Sequence, residues 1–337
     1  MEMKRLGATG PMVSRFGFGT MSLLTSQSPA DAAKLVHKAL DAGINLIDTA
    51  DIYDNGAVEK ALGEVLAGRR DKVVLATKVG LPMHGDLNQS GGSRRWIMQA
   101  VDDSLRRLKT DYIDLYQLHR PDPRTPVEET VAAFDALIRA GKIRHAGSSV
   151  FPPELLVQSQ WAAEKLGATA FASEQSPYSI LVRGIERSVL PVCQQYGMGL
   201  LAWSPLNGGW LTGKYRRGAP APEGSRAASG NPFVRADDAA KLDATEALTA
   251  IAETAGLSLM QMSLAWTLEH PGVTATLLGP RTAEQLDQLL SADGITLDTE
   301  TLDAIDAVVA PGEYVDPRNA GWAWPGLAKD QRRSQRG

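Results

Sequence analysis

Cysteine is almost absent from these 337 residues, Cys193 standing alone, so neither an internal disulfide framework nor a cysteine-rich zinc site can be built. Such usage suits a reducing compartment, and a lone thiol of this kind is expected as a small buried residue on a helix. The five histidines, His37, His84, His119, His145 and His270, show no metal-ligand spacing, which argues against a metal centre. No stretch approaches the roughly 18 uninterrupted apolar residues of a membrane span, and Met1 to Arg15 lacks an apolar run of signal-peptide length. The expectation is a soluble, cytoplasmic protein without a membrane partner. Charge of one sign is not in excess either: 35 basic against 39 acidic residues give a net charge of -4, with no block that would steer the chain onto nucleic acid.

Three familiar site motifs are also missing. Gly17-Phe18-Gly19 opens like a dinucleotide fingerprint, but the third glycine and the acidic residue that should follow are not there. Gly208 to Lys214 fits a GxxxxGK string, yet Tyr215 stands where a magnesium-binding hydroxyl is required. No GxSxG nucleophile elbow occurs.

What the chain does contain is a regular beat. Eight short β-rich apolar runs recur, each followed by a segment of helical period: 15 to 19, 45 to 48, 73 to 78, 112 to 119, 143 to 148, 171 to 175, 199 to 204 and 274 to 279. Trp96, Ile97, Ala100, Val101, Leu105 and Leu108 form one helical stripe with Ser93 as N-cap. The next helix is expected to open with a capping box, Thr125-Pro126-Val127-Glu128, and to close at Gly141. Eight strand-helix units favour a closed (β/α)₈ TIM barrel over an open sheet, here one domain spanning 1 to 310. Residues 1 to 14 read as a hairpin closing the barrel bottom. A long loop, 207 to 235, follows the seventh strand as a candidate lid. From 311 to 337 runs a tail whose aromatic part, Trp322 and Trp324, is expected to cap the barrel, and whose polar end, Lys329 to Arg333, is expected to be mobile.

In such a barrel the C-terminal ends of the strands converge on one mouth, where chemistry sits. Asp48 ends the second strand, Lys78 the third and His119 the fourth, and Tyr53 lies in the loop after Asp48. A phenol with an ordinary pKa of about 10 is a sluggish acid near neutrality unless its anion is stabilised. Lys78 can supply that stabilisation, Asp48 can hold the lysine charged, and His119 can donate to a substrate oxygen. The set suits proton delivery to a carbonyl oxygen as hydride adds to its carbon.

The run from Gly43 through Asp48-Thr49-Ala50-Asp51-Ile52-Tyr53, with Asn55-Gly56 and Glu59 to Gly63 after it, resembles the long signature of the aldo-keto reductases. Ala76-Thr77-Lys78 and Asp114 to Pro121 resemble that family's lysine and histidine motifs, and the similarity continues from Met3 to about Leu290. The resemblance implies a catalytic tetrad of Asp48, Tyr53, Lys78 and His119, NADPH lying across the mouth, and reversible reduction of an aldehyde or ketone. It places cofactor contacts at Gly19, Thr20 and Met21, at Ser148, Ser149 and Gln175, and at Trp203, which replaces a common tyrosine and could stack on nicotinamide. Further contacts fall on Ser204, Pro205, Leu206 and the loop from Gly208 to Lys214, then on Gly279, Arg281, Gln285 and Gln288. Val150, Gln288 and Leu289 depart from the family pattern. Arg281 has independent support: it precedes a capping-box start, Thr282-Ala283-Glu284-Gln285, where free N–H groups favour an anion such as a ribose 2′-phosphate. Met21, the loop Leu81 to Gly92, Trp322 and Trp324 are the expected walls of the substrate pocket. The small-molecule carbonyl substrate and the oligomeric state are left open. So are a non-catalytic NADP(H)-binding sensor, as the similarity to potassium-channel β subunits allows, and a Schiff-base lyase using Lys78.

Overall fold

Apolar runs too short for helices and buried on both faces become central strands of a parallel sheet, and here they close on themselves. The computed structural model describes residues 1–25, 28–83, 85–86, 88–230 and 234–327. Two short strands, β1 (Met3–Arg5) and β2 (Met12–Ser14), pair antiparallel as the expected hairpin. Eight parallel strands follow: β3 (Phe16–Gly19), β4 (Leu46–Asp48), β5 (Val74–Val79), β6 (Ile113–Leu118), β7 (Ile143–Ser149), β8 (Ser173–Pro177), β9 (Gly199–Trp203) and β10 (Val273–Leu278). They form a closed barrel in the order β10-β3-β4-β5-β6-β7-β8-β9, each strand overlapping its expected run to within two residues at either end.

Residue parity along the strands sorts the core into two layers, because successive side chains in a strand point to opposite faces. Leu46, Val74, Ala76, Leu115, Leu201, Ala275 and Leu277 fill the barrel interior, and Leu6 and Val13 of the hairpin segment join this cluster, plugging one end. The alternate residues, among them Ile47, Leu75, Tyr116 and Leu200, pack outward against the helices. On helix Arg94–Leu108, Ser93 caps the first turn and Trp96, Ile97, Ala100, Val101 and Leu108 are buried, as the stripe predicts. Gly63 of helix Ala57–Val65 lies against the end of that helix, where a Cβ would come within 2.5 Å of the Arg107 carbonyl. Only glycine permits that approach.

Two predicted caps differ. Helix Val127–Arg139 has no side-chain cap, because its N-cap position falls on Pro126, which has no side-chain acceptor, while the Thr125 hydroxyl donates to Asp122 at 2.8 Å. Gly141 does close that helix with a positive φ of 74°. At helix Ala283–Leu290, Thr282 accepts from the Gln285 N–H as expected, but the returning Gln285 side chain accepts from Arg281 N–H at 2.8 Å instead of from Thr282. Cys193 is fully buried on helix Val189–Gln195, as anticipated.

The tail is fastened through Tyr314, which bridges to Val182 and occupies the space a side chain at Gly184 would need. Trp322 and Trp324 stack edge to face at 4.8 Å, and the Trp324 indole N–H donates to Glu154. His84 and the polar end from Lys329 to Arg333 lie outside the described residues.

Candidate active site

The same parity that fills the barrel floor with apolar side chains sends Asp48, Lys78, Gln117, His119, Gln175 and Trp203 inward at the C-terminal mouth. Two steps along β4 separate Leu46 from Asp48; two along β5 separate Ala76 from Lys78. Lys78 and Asp48 are buried, with Nζ to Oδ2 at 2.7 Å. The ammonium also donates to the Thr49 carbonyl at 2.8 Å and to the Tyr53 hydroxyl at 3.5 Å. Asp48 is held from the other side by the amides of Gln175 at 2.7 Å and Gln117 at 3.5 Å. The ring of His119 stands edge-on to that of Tyr53, centroids 6.0 Å apart. The structure therefore brings all four expected polar side chains to one point.

The loop carrying Tyr53 is bent there by three successive left-handed residues, Asp54, Asn55 and Gly56. Behind it, Glu59 accepts from Arg107 at 2.7 Å and from the Thr77 hydroxyl at 2.6 Å, tying loop to helix and strand. Three more non-glycine residues with positive φ ring the mouth: Val150, Ser204 and Asn207. Backbone strain of this kind collects at functional sites, and for β-branched Val150 it is unusual. The Val150 N–H donates to the Gln175 carbonyl, and its side chain faces Gly321 of the tail.

Electrostatics give each group a definite state. Burial alone would lower the Lys78 ammonium, but Asp48 and Tyr53 together outweigh it and the net shift is upward. Burial also raises Tyr53, and Lys78 only partly opposes this. Lys78 does favour the phenolate, but in the resting protein desolvation outweighs it and Tyr53 keeps its proton. His119 is driven well below its ordinary value by burial and then by Lys78 and Arg120, so its imidazole is neutral.

Asp51 shows the opposite problem. It is buried, no side chain donates to its carboxyl oxygens among the described residues, and desolvation together with Glu59 pushes it up to about 8 against a weak pull from the Ile52 N–H. A carboxyl raised from its unfolded value of about 4 is protonated in the folded protein, so its stabilisation is complete below about pH 4 and lost as pH rises towards about 8. Glu174, buried and raised to about 7, acts in the same direction over a narrower range. Urea midpoints measured from about pH 5 to 8 should fall with rising pH, and Asp51→Asn should flatten that slope by about 1.4 kcal/mol per pH unit at most. Parallel slopes for the two proteins would show that Asp51 is ionised in the fold.

A cleft of about 580 Å³ opens over Tyr53 and His119, a size suited to a small-molecule site. Gly19, Thr20, Met21, Ser149, Gln175, Trp203, Ser204, Pro205, Leu206, Gly208, Lys214, Gly279, Arg281, Gln285 and Gln288 all line it. Ser148 does not. It has the outward parity on β7, and its hydroxyl donates to Glu174 at 2.6 Å behind the barrel wall. Trp322 and Trp324 are also corrected: neither lines the cleft, since their rings pair with each other over helix Pro153–Leu166. Of the loop 81 to 92, Leu81 reaches the cleft.

Three residues without an expected role stand out: Arg120 and Arg226 line the cleft, and Gln117 lies beneath it against Asp48. Gln117 carries a legible signal, standing two residues before His119 on the same strand face. Arg120 was visible in the motif but had no role. Arg226 comes from the loop after β9, whose composition has no period to place it. It joins Lys214 and Arg281, and each of Lys214 and Arg226 is lowered by burial and then by neighbouring positive charge. Among the described residues none of the three forms an ion pair with a carboxylate, and no cluster could hold a metal ion.

A closed parallel barrel with a tyrosine set over a buried lysine-aspartate pair at its mouth describes an oxidoreductase of a recognised type. The model described as "Aldo/keto reductase family" matches residues 15–310, and the chain belongs to that family. It is 39% identical to the uncharacterized oxidoreductase YrpG of Bacillus subtilis over 96% of this chain and 100% of the relative. It is 36% identical to a probable voltage-gated potassium channel subunit beta of Oryza sativa, covering 92% and 97%, and 34% identical to L-glyceraldehyde 3-phosphate reductase of Escherichia coli, covering 88% and 87%.

Proposed function

We propose that this protein reduces an aldehyde or ketone to an alcohol with NADPH, Tyr53 supplying the proton. The observation that carries the reading is the Lys78 ammonium held between Asp48 at 2.7 Å and the Tyr53 hydroxyl at 3.5 Å. NADPH, when bound, supplies the hydride. Tyr53 enters the reaction protonated, and Lys78 stabilises the phenolate that remains once the proton has moved to the substrate oxygen. Neutral His119 orients that oxygen. Asp48 holds Lys78, and Gln175 and Gln117 hold Asp48.

The cleft fits a dinucleotide phosphate: Lys214, Arg226 and Arg281 bring to one end three positive charges without carboxylate partners among the described residues, and Arg281 precedes a helix N-terminus. A Schiff-base role for Lys78 is disfavoured, because an amine whose pKa is raised is a poor nucleophile. A role as a channel subunit, the one in the Oryza sativa relative's name, requires no buried proton donor. Oxidation of NADPH followed at 340 nm with 4-nitrobenzaldehyde tests the reading directly, and absence of turnover with a panel of aldehydes would overturn it.

The phosphate end makes a separate prediction. Arg281→Ala should weaken NADPH by about 10- to 100-fold, the worth of a charge-assisted bidentate contact, while leaving NADH within about threefold. Dissociation constants from quenching of tryptophan fluorescence check this; an unchanged ratio would remove Arg281 from the 2′-phosphate site.

A further inference from the structure

Arg120 has no carboxylate partner among the described residues, although it is largely buried and lines the cleft beside Tyr53 and His119. Its Nη1 donates to the neighbouring His119 carbonyl at 2.7 Å, and its guanidinium approaches the Trp203 ring at 6.0 Å. Neither contact neutralises its charge. The carboxyl groups around it are already engaged: Asp48 with Lys78, Gln175 and Gln117, and Glu174 with Ser148, Ser176 and the Phe151 N–H.

The barrel places Arg120 away from the phosphate end. It follows β6, four strands from β10 in either direction around the ring, so it stands on the rim opposite Arg281. A dinucleotide whose phosphates lie on Lys214, Arg226 and Arg281 leaves Arg120 uncompensated at the end where Tyr53 and His119 meet the substrate. A desolvated cation with free donors beside a reaction centre calls for an anion on the reacting molecule.

We propose that Arg120 selects the substrate: the preferred carbonyl compounds carry an anionic group, carboxylate or phosphate, within reach of the guanidinium when the carbonyl oxygen is at Tyr53. This rests on the carbonyl-reductase reading and deepens it. The anion is bound unchanged, and the planar fork of Arg120 suits two-point contact with either oxyanion. Trp203, on the other side of the guanidinium, restricts where that contact can form.

The test compares matched substrates that differ in charge. In the holoenzyme, kcat/KM for 4-carboxybenzaldehyde should exceed that for its neutral methyl ester, and glycolaldehyde phosphate should exceed glycolaldehyde; the two pairs separate carboxylate from phosphate preference. Arg120→Met should lower the anionic-to-neutral ratio by about 10-fold or more, mainly through KM, and Arg120→Lys should restore part of it. Calorimetry of 4-methylbenzoate binding to the NADP⁺ complex gives a readout without turnover, and Arg120→Met should weaken it by a similar factor. Turnover of the neutral aldehydes with a ratio indifferent to Arg120 in both pairs overturns the anion site while leaving the reductase reading intact. Absence of turnover with every aldehyde defeats the reductase reading, and the calorimetric arm then decides whether Arg120 holds an anion.

Discussion

Tyr53→Phe is expected to lower kcat for aldehyde reduction near pH 7 by about 10²- to 10⁴-fold, the range for loss of a positioned general acid, with KM and fold stability little changed. The hydroxyl sits 3.5 Å from the Lys78 ammonium and makes no other side-chain hydrogen bond among the described residues. Its removal therefore deletes the proton donor without leaving a new buried charge. The ring remains in place against His119, so the shape of the cleft survives. The resting state of each group also predicts a pH profile. Burial holds Tyr53 above its ordinary value of about 10 and His119 well below about 6.5. The wild-type reduction rate should then run flat through neutrality, without a limb at the ordinary histidine value. Stopped-flow measurement of the hydride-transfer step in both proteins decides the point. Equal rates would assign the proton to another group, and a wild-type limb near pH 6.5 would show that His119 titrates during turnover.

Strand parity explains both how much of the site could be read from the sequence and where the reading failed. A residue at a strand end is assigned to the mouth by position alone, which served Asp48, Lys78 and His119 because each also has the inward parity. Ser148 shares the position but not the parity, and the structure turns it towards Glu174. Counting in twos from His119 reaches Gln117, which was legible and unused. Groups delivered by irregular backbone are different in kind. Arg226 lies in a stretch without helical or strand period, so only the folded loop shows it beside Lys214 and Arg281. The tail tryptophans were misplaced for the same reason: an aromatic pair announces burial, but its choice of each other and of Glu154 over the cleft is a tertiary outcome. Thr125 illustrates a boundary shift: the helix begins one residue later than the motif suggests, with Pro126 at the cap position.

The buried pair beneath Tyr53 should be the site's main liability for stability. Lys78→Met leaves the Asp48 carboxylate 5% exposed with two amides but no positive charge, and an uncompensated buried charge costs about 3–5 kcal/mol. Asp48→Asn added to Lys78→Met removes the charge along with its partner, so the double variant should regain most of that loss, giving a coupling energy of about 1–3 kcal/mol in a double-mutant cycle. Activity should follow a different course, because the double variant has no ammonium to stabilise the Tyr53 phenolate and its kcat should stay as low as that of Lys78→Met. Urea denaturation of the four proteins of the cycle at pH 7, beside their kcat values, separates these effects. Additive stability losses would mean that Asp48 and Lys78 hold the fold independently, and recovery of kcat in the double variant would mean that Tyr53 needs no cation beneath it.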